Sequence, residues 1–100
     1  MIKHIVFWRL KADLPAAERE AALQRIKQGF EALAGKIPGL AKIEIGFNYG
    51  VSAEASDIAL YTEFVSKDAL AGYETHPEHL ALVPMVREVR TEKRVVDFER

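Results

Sequence analysis

Residues 2–10 form an alternating stretch in which both faces are apolar at the middle. One face carries Ile2, His4, Val6, Trp8 and Leu10, and the other carries Lys3, Ile5, Phe7 and Arg9. A strand with two apolar faces is covered on both sides, whereas a strand with one wet face alternates apolar and polar residues. Residues 57–65 repeat the pattern, so we predict two central strands of one sheet.

A helical spacing replaces the alternation after the first strand. Asp13 marks a helix start shortly before Pro15. Apolar residues then recur three and four positions apart at Leu23, Ile26, Phe30, Leu33 and Ile37. Gly35 and Pro38 end the stretch, because glycine is common just past a helix end and proline cannot continue a helix. We predict one amphipathic helix that includes all five apolar residues.

A second helix is predicted from Ser66, a good N-cap residue, and it is broken at Pro77. Proline has no backbone N–H and disfavours helical geometry in the residue before it, so His76 should cap a new helix that Pro77 starts. His79 then falls in the first turn, where the helix dipole favours neutral imidazole. The buried stripe is predicted to continue through Leu80, Val83 and Val86.

Two further strands complete the pattern. The first begins at Leu40 and places Ile43, Ile45, Phe47 and Tyr49 on one face, and the last covers residues 91–99 with Val95, Val96 and Phe98. Residues 50–56 form a loop. The order is βαββαβ, which predicts a single α+β domain over residues 1–100 with a ferredoxin-like, four-stranded antiparallel sheet. The strands at residues 2–10 and 57–65 lie at its centre.

The apolar character of both central strands also predicts a partner. Two helices can cover only one face of a four-stranded sheet, yet the central strands carry apolar side chains on both faces. A second copy of the chain is the economical cover, because a symmetric dimer joins two such sheets. We predict a homodimer whose sheets form a β-barrel.

Composition narrows the function classes. The 100 residues carry a net charge of −1 with charges dispersed along the chain, which does not favour nucleic-acid binding or an anionic membrane surface. No cysteine is available as a nucleophile or metal ligand. No apolar run approaches the roughly 20 residues that span a bilayer, and no signal-peptide pattern precedes the first strand. We predict a cytoplasmic protein.

Candidate chemistry is concentrated at residues 73–79, which hold two of the three histidines. His79 is a candidate general base, and the Tyr73 hydroxyl a candidate donor to a developing enolate oxygen. The alternative is a surface histidine with a capping role. His76 is a weaker candidate for ligand binding, because the residue before Pro77 serves the helix break.

Three more residues are candidates for lining a binding site. His4, Trp8 and Phe30 could face a pocket between sheet and helices. Core packing is at least as good an explanation for His4 and the better one for Trp8 and Phe30. A metal site is not predicted, because the histidines lack a third ligand and a zinc-type spacing. No glycine-rich nucleotide loop, Walker sequence or nucleophile elbow occurs, so no cofactor is predicted.

Four segments together resemble the stress-responsive A/B barrel domain family. They are Ile2-Lys3-His4-Ile5-Val6, Ile37-Pro38-Gly39 with Ile43-Glu44-Ile45-Gly46, the segment from Tyr73 to His79, and Val95-Val96-Asp97-Phe98. The resemblance covers nearly the whole chain. It implies a ferredoxin-like subunit in a homodimer with a shared β-barrel, and no assigned reaction for most members. It also implies that His4, Val6 and Trp8 face the helices, which leaves Ile5 and Phe7 to the partner.

The resemblance also implies possible site residues. One plant member is a cofactor-free polyketide cyclase that performs an aldol condensation, and its catalytic tyrosine and histidine match Tyr73 and His79. A pocket histidine of that enzyme matches His4, whereas another falls at Ile58, which cannot hold a polar group. Two hypotheses follow. One is a non-catalytic homodimer that binds a small hydrophobic, aromatic or polyketide-like ligand, and the other is a cofactor-free enzyme, cyclase-like or monooxygenase-like.

Overall fold

Four strands and four helices make up the structure, a computed structural model that describes residues 1–100. The elements are β1 (Ile2–Leu10), α1 (Ala16–Glu31), β2 (Leu40–Phe47), β3 (Ile58–Phe64), α2 (Lys67–Thr75), α3 (Pro77–Leu80), α4 (Val83–Val89) and β4 (Arg90–Glu99). The sheet order is β2-β3-β1-β4, with every neighbouring pair antiparallel. The predicted ferredoxin-like α+β fold is confirmed, with β1 and β3 at the centre.

The core lies between the sheet and the helices. Alternate residues of β1 are buried, beginning with Ile2 and His4 and ending with Leu10, and β3 alternates in the same way. These side chains pack against Ile26 and Phe30 of α1. The predicted face of β1 is therefore the face that meets the helices.

The first helix is shorter than predicted. It begins after Pro15 without a side-chain cap, and it ends at Glu31. Leu33 and Ile37 are buried in the core, but they lie in the turns that follow the helix, where Gly35 has φ 79°. The prediction was wrong here because a tight turn can bury apolar residues at the same spacing as a helix.

The predicted break at Pro77 is confirmed. The Ser66 hydroxyl accepts a hydrogen bond from the N–H of Ala69 at the start of α2, and His76 has extended geometry with ψ 134° between α2 and α3. The new helix is only one turn long, however, and α4 follows as a separate element. Leu80 is consequently 50% exposed, so the predicted buried stripe fails there and resumes with Val86.

The second strand also ends earlier than predicted. It stops at Phe47, and Tyr49 is fully exposed in the following loop. Asn48 causes the change, because its side chain accepts a hydrogen bond from the N–H of Gly50 and donates one to the carbonyl of Ser56. Such local side-chain bonds compete with strand pairing.

The sheet face opposite the helices has no covering element from the chain itself. Ile5 and Phe7 of β1 lie on this face, which we call the outer face, together with their cross-strand neighbours Tyr61 and Val96. Val96 is 50% exposed. None of the helices is long and apolar enough to cross a membrane.

Candidate functional site

A cavity of about 110 Å³ lies between the sheet and the helices, and we call it the inner cavity. It contains five of the six predicted site residues: His4, Trp8, Phe30, Tyr73 and His79. Strand β4 supplies further wall residues that were not predicted from the sequence, namely Lys93, Val95 and Asp97. The cavity therefore lies where the first and last strands of the chain face the break between α2 and α3.

The helix break brings Tyr73 and His79 together. Tyr73 lies near the end of α2, and the extended backbone at His76 turns the chain so that α3 carries His79 back over the tyrosine ring. The two ring centroids are 4.3 Å apart, with the ring planes inclined by 38°. Six residues across a continuous helix would not give this stacking, because residues three and four apart share a helix face.

Tyr73 is 1% exposed, and its hydroxyl is the buried side-chain polar group that has no hydrogen-bond partner in the chain. Burial raises the pKa of this phenol, and the nearby negative charge of Glu74 raises it further. Tyr73 is therefore a neutral hydrogen-bond donor. Buried polar groups are nearly always paired, so the free hydroxyl is unusual.

The His79 ring packs against the Tyr73 ring and has one nitrogen without a hydrogen-bond partner in the chain. Its Nδ1 lies 3.2 Å from the carbonyl oxygen of Glu74, and a carbonyl can only accept, so Nδ1 carries the proton. Nε2 then holds an unshared electron pair. Burial lowers the pKa of His79, and the charge of Lys93 lowers it further against the opposing effect of the Glu74 carbonyl.

The helix dipole is not needed to explain this lowering. His79 is the third residue of α3 and lies in its first turn, as predicted, but a helix of four residues has only a small dipole. Removal of the imidazole from water is the main cause instead.

His4 forms the opposite wall. Its Nδ1 lies 2.5 Å from Oδ1 of Asp97, its cross-strand neighbour on β4, and the carboxylate can only accept the proton of Nδ1. The imidazole stands edge-on to the Tyr73 ring at 6.2 Å between centroids. The backbone is held as well, because the Thr62 hydroxyl donates to the His4 carbonyl at 2.6 Å.

Trp8 and Phe30 form the apolar end of the inner cavity. Their ring centroids are 5.3 Å apart, and Phe30 stands edge-on to His79 at 6.4 Å. Both side chains are also buried in the core. They therefore fill both roles that the sequence allows, core packing and cavity lining.

His76 does not line the inner cavity. Its Nδ1 accepts a hydrogen bond from the N–H of Glu78 at 3.1 Å, which caps the start of α3. His76 thus has a capping role at the helix break and not a place in the cavity wall. Ile58, which stands where the plant polyketide cyclase has a second pocket histidine, is packed in the core. No cluster of three or more histidine, aspartate or glutamate side chains is placed to hold a metal ion.

Comparison with known proteins agrees with this architecture. The model of the stress responsive A/B barrel domain matches residues 2–100. A dimeric protein of unknown function with a ferredoxin-like fold from Bacteroides fragilis is 38% identical, with a TM-score of 0.90 over 99% of this chain and 95% of that one. An uncharacterized protein of Streptomyces coelicolor is 33% identical over 91% of this chain and 92% of its own length.

A more distant structure shares the fold alone. The hydroxynitrile lyase of Passiflora edulis is 19% identical, with a TM-score of 0.79 over 97% of this chain and 90% of that one. The fold and the aromatic cavity define a small ferredoxin-like α+β protein with a cavity between sheet and helices. The chain belongs to the stress responsive A/B barrel domain family, as its four sequence segments indicated.

Proposed function

We propose that the protein is a homodimer that binds a small aromatic or hydrophobic molecule in the inner cavity. The buried hydroxyl of Tyr73, which has no partner in the chain, carries this proposal. An unsatisfied buried donor costs about 1–3 kcal/mol, and a ligand that accepts its hydrogen bond would recover that free energy.

The size and walls of the inner cavity support a ligand with a single ring. Its volume of about 110 Å³ is below the roughly 150 Å³ of an apolar cavity that holds benzene, so one ring would fill it. Trp8 and Phe30 offer aromatic faces on one side, and the Tyr73 hydroxyl offers a donor on the other. Longer polyketide-like chains would have to extend beyond this space.

The outer face of the sheet supports the homodimer. Ile5 and Phe7 are only partly covered there, and Val96 and Phe98 are 50% and 44% exposed. The Bacteroides fragilis relative, which is 38% identical, is described as dimeric. A second copy packed against this face would remove the apolar surface from water and bring two sheets together as a barrel.

A cofactor-free enzyme is the second candidate, and the pairing of Tyr73 with His79 favours it. Nε2 of His79 would take a proton from the carbon next to a substrate carbonyl, and the released electron pair would move to the carbonyl oxygen. The Tyr73 hydroxyl would donate a hydrogen bond to that enolate oxygen. Attack of the enolate carbon on a second carbonyl would form a C–C bond, and return of the proton from His79 to the resulting alkoxide would complete an aldol reaction of the polyketide cyclase type.

Tyr73→Phe tests the binding site directly. Single-ring phenols and aryl ketones should raise the melting temperature of the wild type, because they bind the folded state. The variant should bind such a probe about 5- to 10-fold more weakly, as one hydrogen bond is lost. Its stability without a ligand should be unchanged or higher, because an unpaired donor is removed. Thermal shift and calorimetry measure both effects.

Tyr61→Phe is the matched control. Its hydroxyl is satisfied, because it donates to Glu63 on the outer face, so this variant should lose some stability and keep the ligand affinity. A wild type whose melting temperature responds to no single-ring probe would contradict the proposal. If Tyr73→Phe binds the probe as tightly as the wild type does, the Tyr73 hydroxyl takes no part in ligand binding.

A further inference from the structure

A second, smaller cavity adjoins the inner cavity. It has a volume of about 70 Å³ and shares four wall residues with the first: Trp8, Phe30, His79 and Lys93. Beyond this shared wall it is bounded by α4 and the start of β4, which add Arg87 and Arg90. We call it the basic pocket, because its charged lining consists of Arg87, Arg90 and Lys93.

The cations of the basic pocket have no partner within the chain. No carboxylate lines the pocket, and none of the five ion pairs of the structure involves Arg87, Arg90 or Lys93. The chain has enough acidic residues to pair them, with 15 aspartates and glutamates against 14 lysines and arginines. Arg90 is also partly buried, and a guanidinium withdrawn from water without a partner is unfavourable.

The two cavities adjoin and give the region two ends of different chemistry. The inner cavity is largely aromatic and carries a donor at Tyr73, the basic pocket is cationic, and Trp8 and Phe30 line both. A planar guanidinium matches the two oxygens of a carboxylate in a bidentate pair, and an ammonium adds a point charge. A single aromatic ring with an attached carboxylate fits both ends.

We propose that the ligand is a single-ring aromatic carboxylate. Its ring would lie among Trp8, Phe30 and Tyr73, and its carboxylate would meet Arg90 and Lys93. This assignment rests on the proposed function, because it names the chemical class of the small aromatic ligand. The same arrangement would place a carbonyl or hydroxyl substituent of the ring near Tyr73 and His79.

Calorimetric titration with three probes of similar size tests the assignment: benzoate, benzamide and phenyl phosphate. The wild type should bind benzoate about 10-fold or more tightly than neutral benzamide, as expected of a charge-assisted hydrogen bond. Arg90→Gln and Lys93→Gln should each lose most of that preference, while their affinity for benzamide stays nearly unchanged. Two variants are used so that a folding defect in one does not decide the result.

Arg25→Gln is the control for net charge. Arg25 is exposed on α1 and also lacks an ion pair, but it lines neither cavity. Its variant should keep the full preference for benzoate. An equal loss in Arg25→Gln would mean that the general field of the protein, and not the basic pocket, selects the anion, which would overturn the assignment.

The remaining outcomes separate this assignment from the proposed function. Equal binding of benzoate and benzamide would overturn the carboxylate but leave the aromatic ligand in place. Tighter binding of phenyl phosphate than of benzoate would replace the carboxylate by a phosphate ester. Binding of none of the three probes would contradict both proposals.

Discussion

Burial keeps Tyr73 and His79 neutral by opposite shifts. Loss of water disfavours the phenolate, so the pKa of Tyr73 rises, and it disfavours the imidazolium, so the pKa of His79 falls. At pH 7 the first residue can donate a hydrogen bond, and the second can accept a proton at Nε2. Two adjacent groups with complementary roles are what an acid–base site requires.

The lowered pKa of His79 makes the free energy of unfolding depend on pH. Below the unfolded value of about 6.5 and above the folded pKa, the unfolded chain binds more protons than the folded one. The stability that His79 contributes is therefore fully present above about pH 6.5 and is lost as the pH falls through the folded pKa. We expect a smaller acid-side loss of stability in His79→Gln, measured by urea denaturation at several pH values.

NMR titration of the same histidine checks the cause. The ring should titrate below about 6.5 and should carry its proton on Nδ1 at pH 7, because that atom donates to the Glu74 carbonyl. If His79 acts as a base, proton exchange at the methyl group of acetophenone in D₂O should increase with pH through the same pKa. An Nε2–H tautomer, or a pKa that is not lowered, would remove His79 from the catalytic role.

The turn before β2 helps to hold α2, the helix that carries Tyr73. Gly39 has φ 79°, and a Cβ added there would lie only 2.5 Å from the Cβ of Ala69 on α2. The Gly39 carbonyl also accepts a hydrogen bond from the N–H of Val65 at 2.9 Å. The close approach of this turn to α2 therefore depends on the missing side chain.

Gly39→Ala should destabilise the protein by more than the roughly 1–3 kcal/mol of backbone strain alone, because the methyl group also pushes against α2. Gly35→Ala is the matched control, since Gly35 has the same φ of 79° but no atom within 4 Å of the added Cβ. Chemical denaturation of both variants measures the difference. If both variants lose the same free energy of unfolding, the contact with Ala69 does not affect stability.

Local chemistry made one part of the site predictable from the sequence. Pro77 dictates the break after α2, and the break permits Tyr73 and His79 to meet. The sequence singled out both residues as candidates but left open whether their rings come together. Asp97 and Lys93 were not identified, because their contacts depend on the register between β1 and β4. A register shift of one residue would move both side chains to the other face of the sheet.

Among the helices and strands, too, some features could be predicted from the sequence and others could not. Alternation in β1 and β3 predicted the sheet centre, since a strand with apolar residues on both faces must be covered on both sides. The end of α1 could not be predicted, because burial of Leu33 and Ile37 fits a helix and a compact turn equally well. Arg87 and Arg90 gave no signal, since surface cations and pocket cations look alike in a sequence.

For the molecule as a whole, the proposed homodimer depends on the outer face of the sheet. Val96→Glu would place a charge among Ile5, Phe7 and their neighbours. An unpaired charge in a buried interface costs several kcal/mol. We therefore expect the variant to be monomeric at micromolar concentration, where the wild type should be a dimer. Light scattering after size-exclusion chromatography measures the masses.

Leu80→Glu is the control for a new surface charge. Leu80 is as exposed as Val96, at 50%, but it lies on α3 at the opposite side of the sheet. This variant should remain a dimer. A wild type with the mass of a single chain would contradict the homodimer, and so would a Val96→Glu variant with the mass of two.

The position of β1 between β3 and β4 also has a kinetic consequence. Both neighbours of this first strand come late in the chain, and the N–H of Arg100 even bonds to the carbonyl of Met1. Pairing over such separations requires closure of very long loops, which slows folding. Because Asp97 closes the wall beside His4, the inner cavity can form only after β4 joins the sheet. During synthesis, β1 must therefore wait for β4 with one edge unpaired.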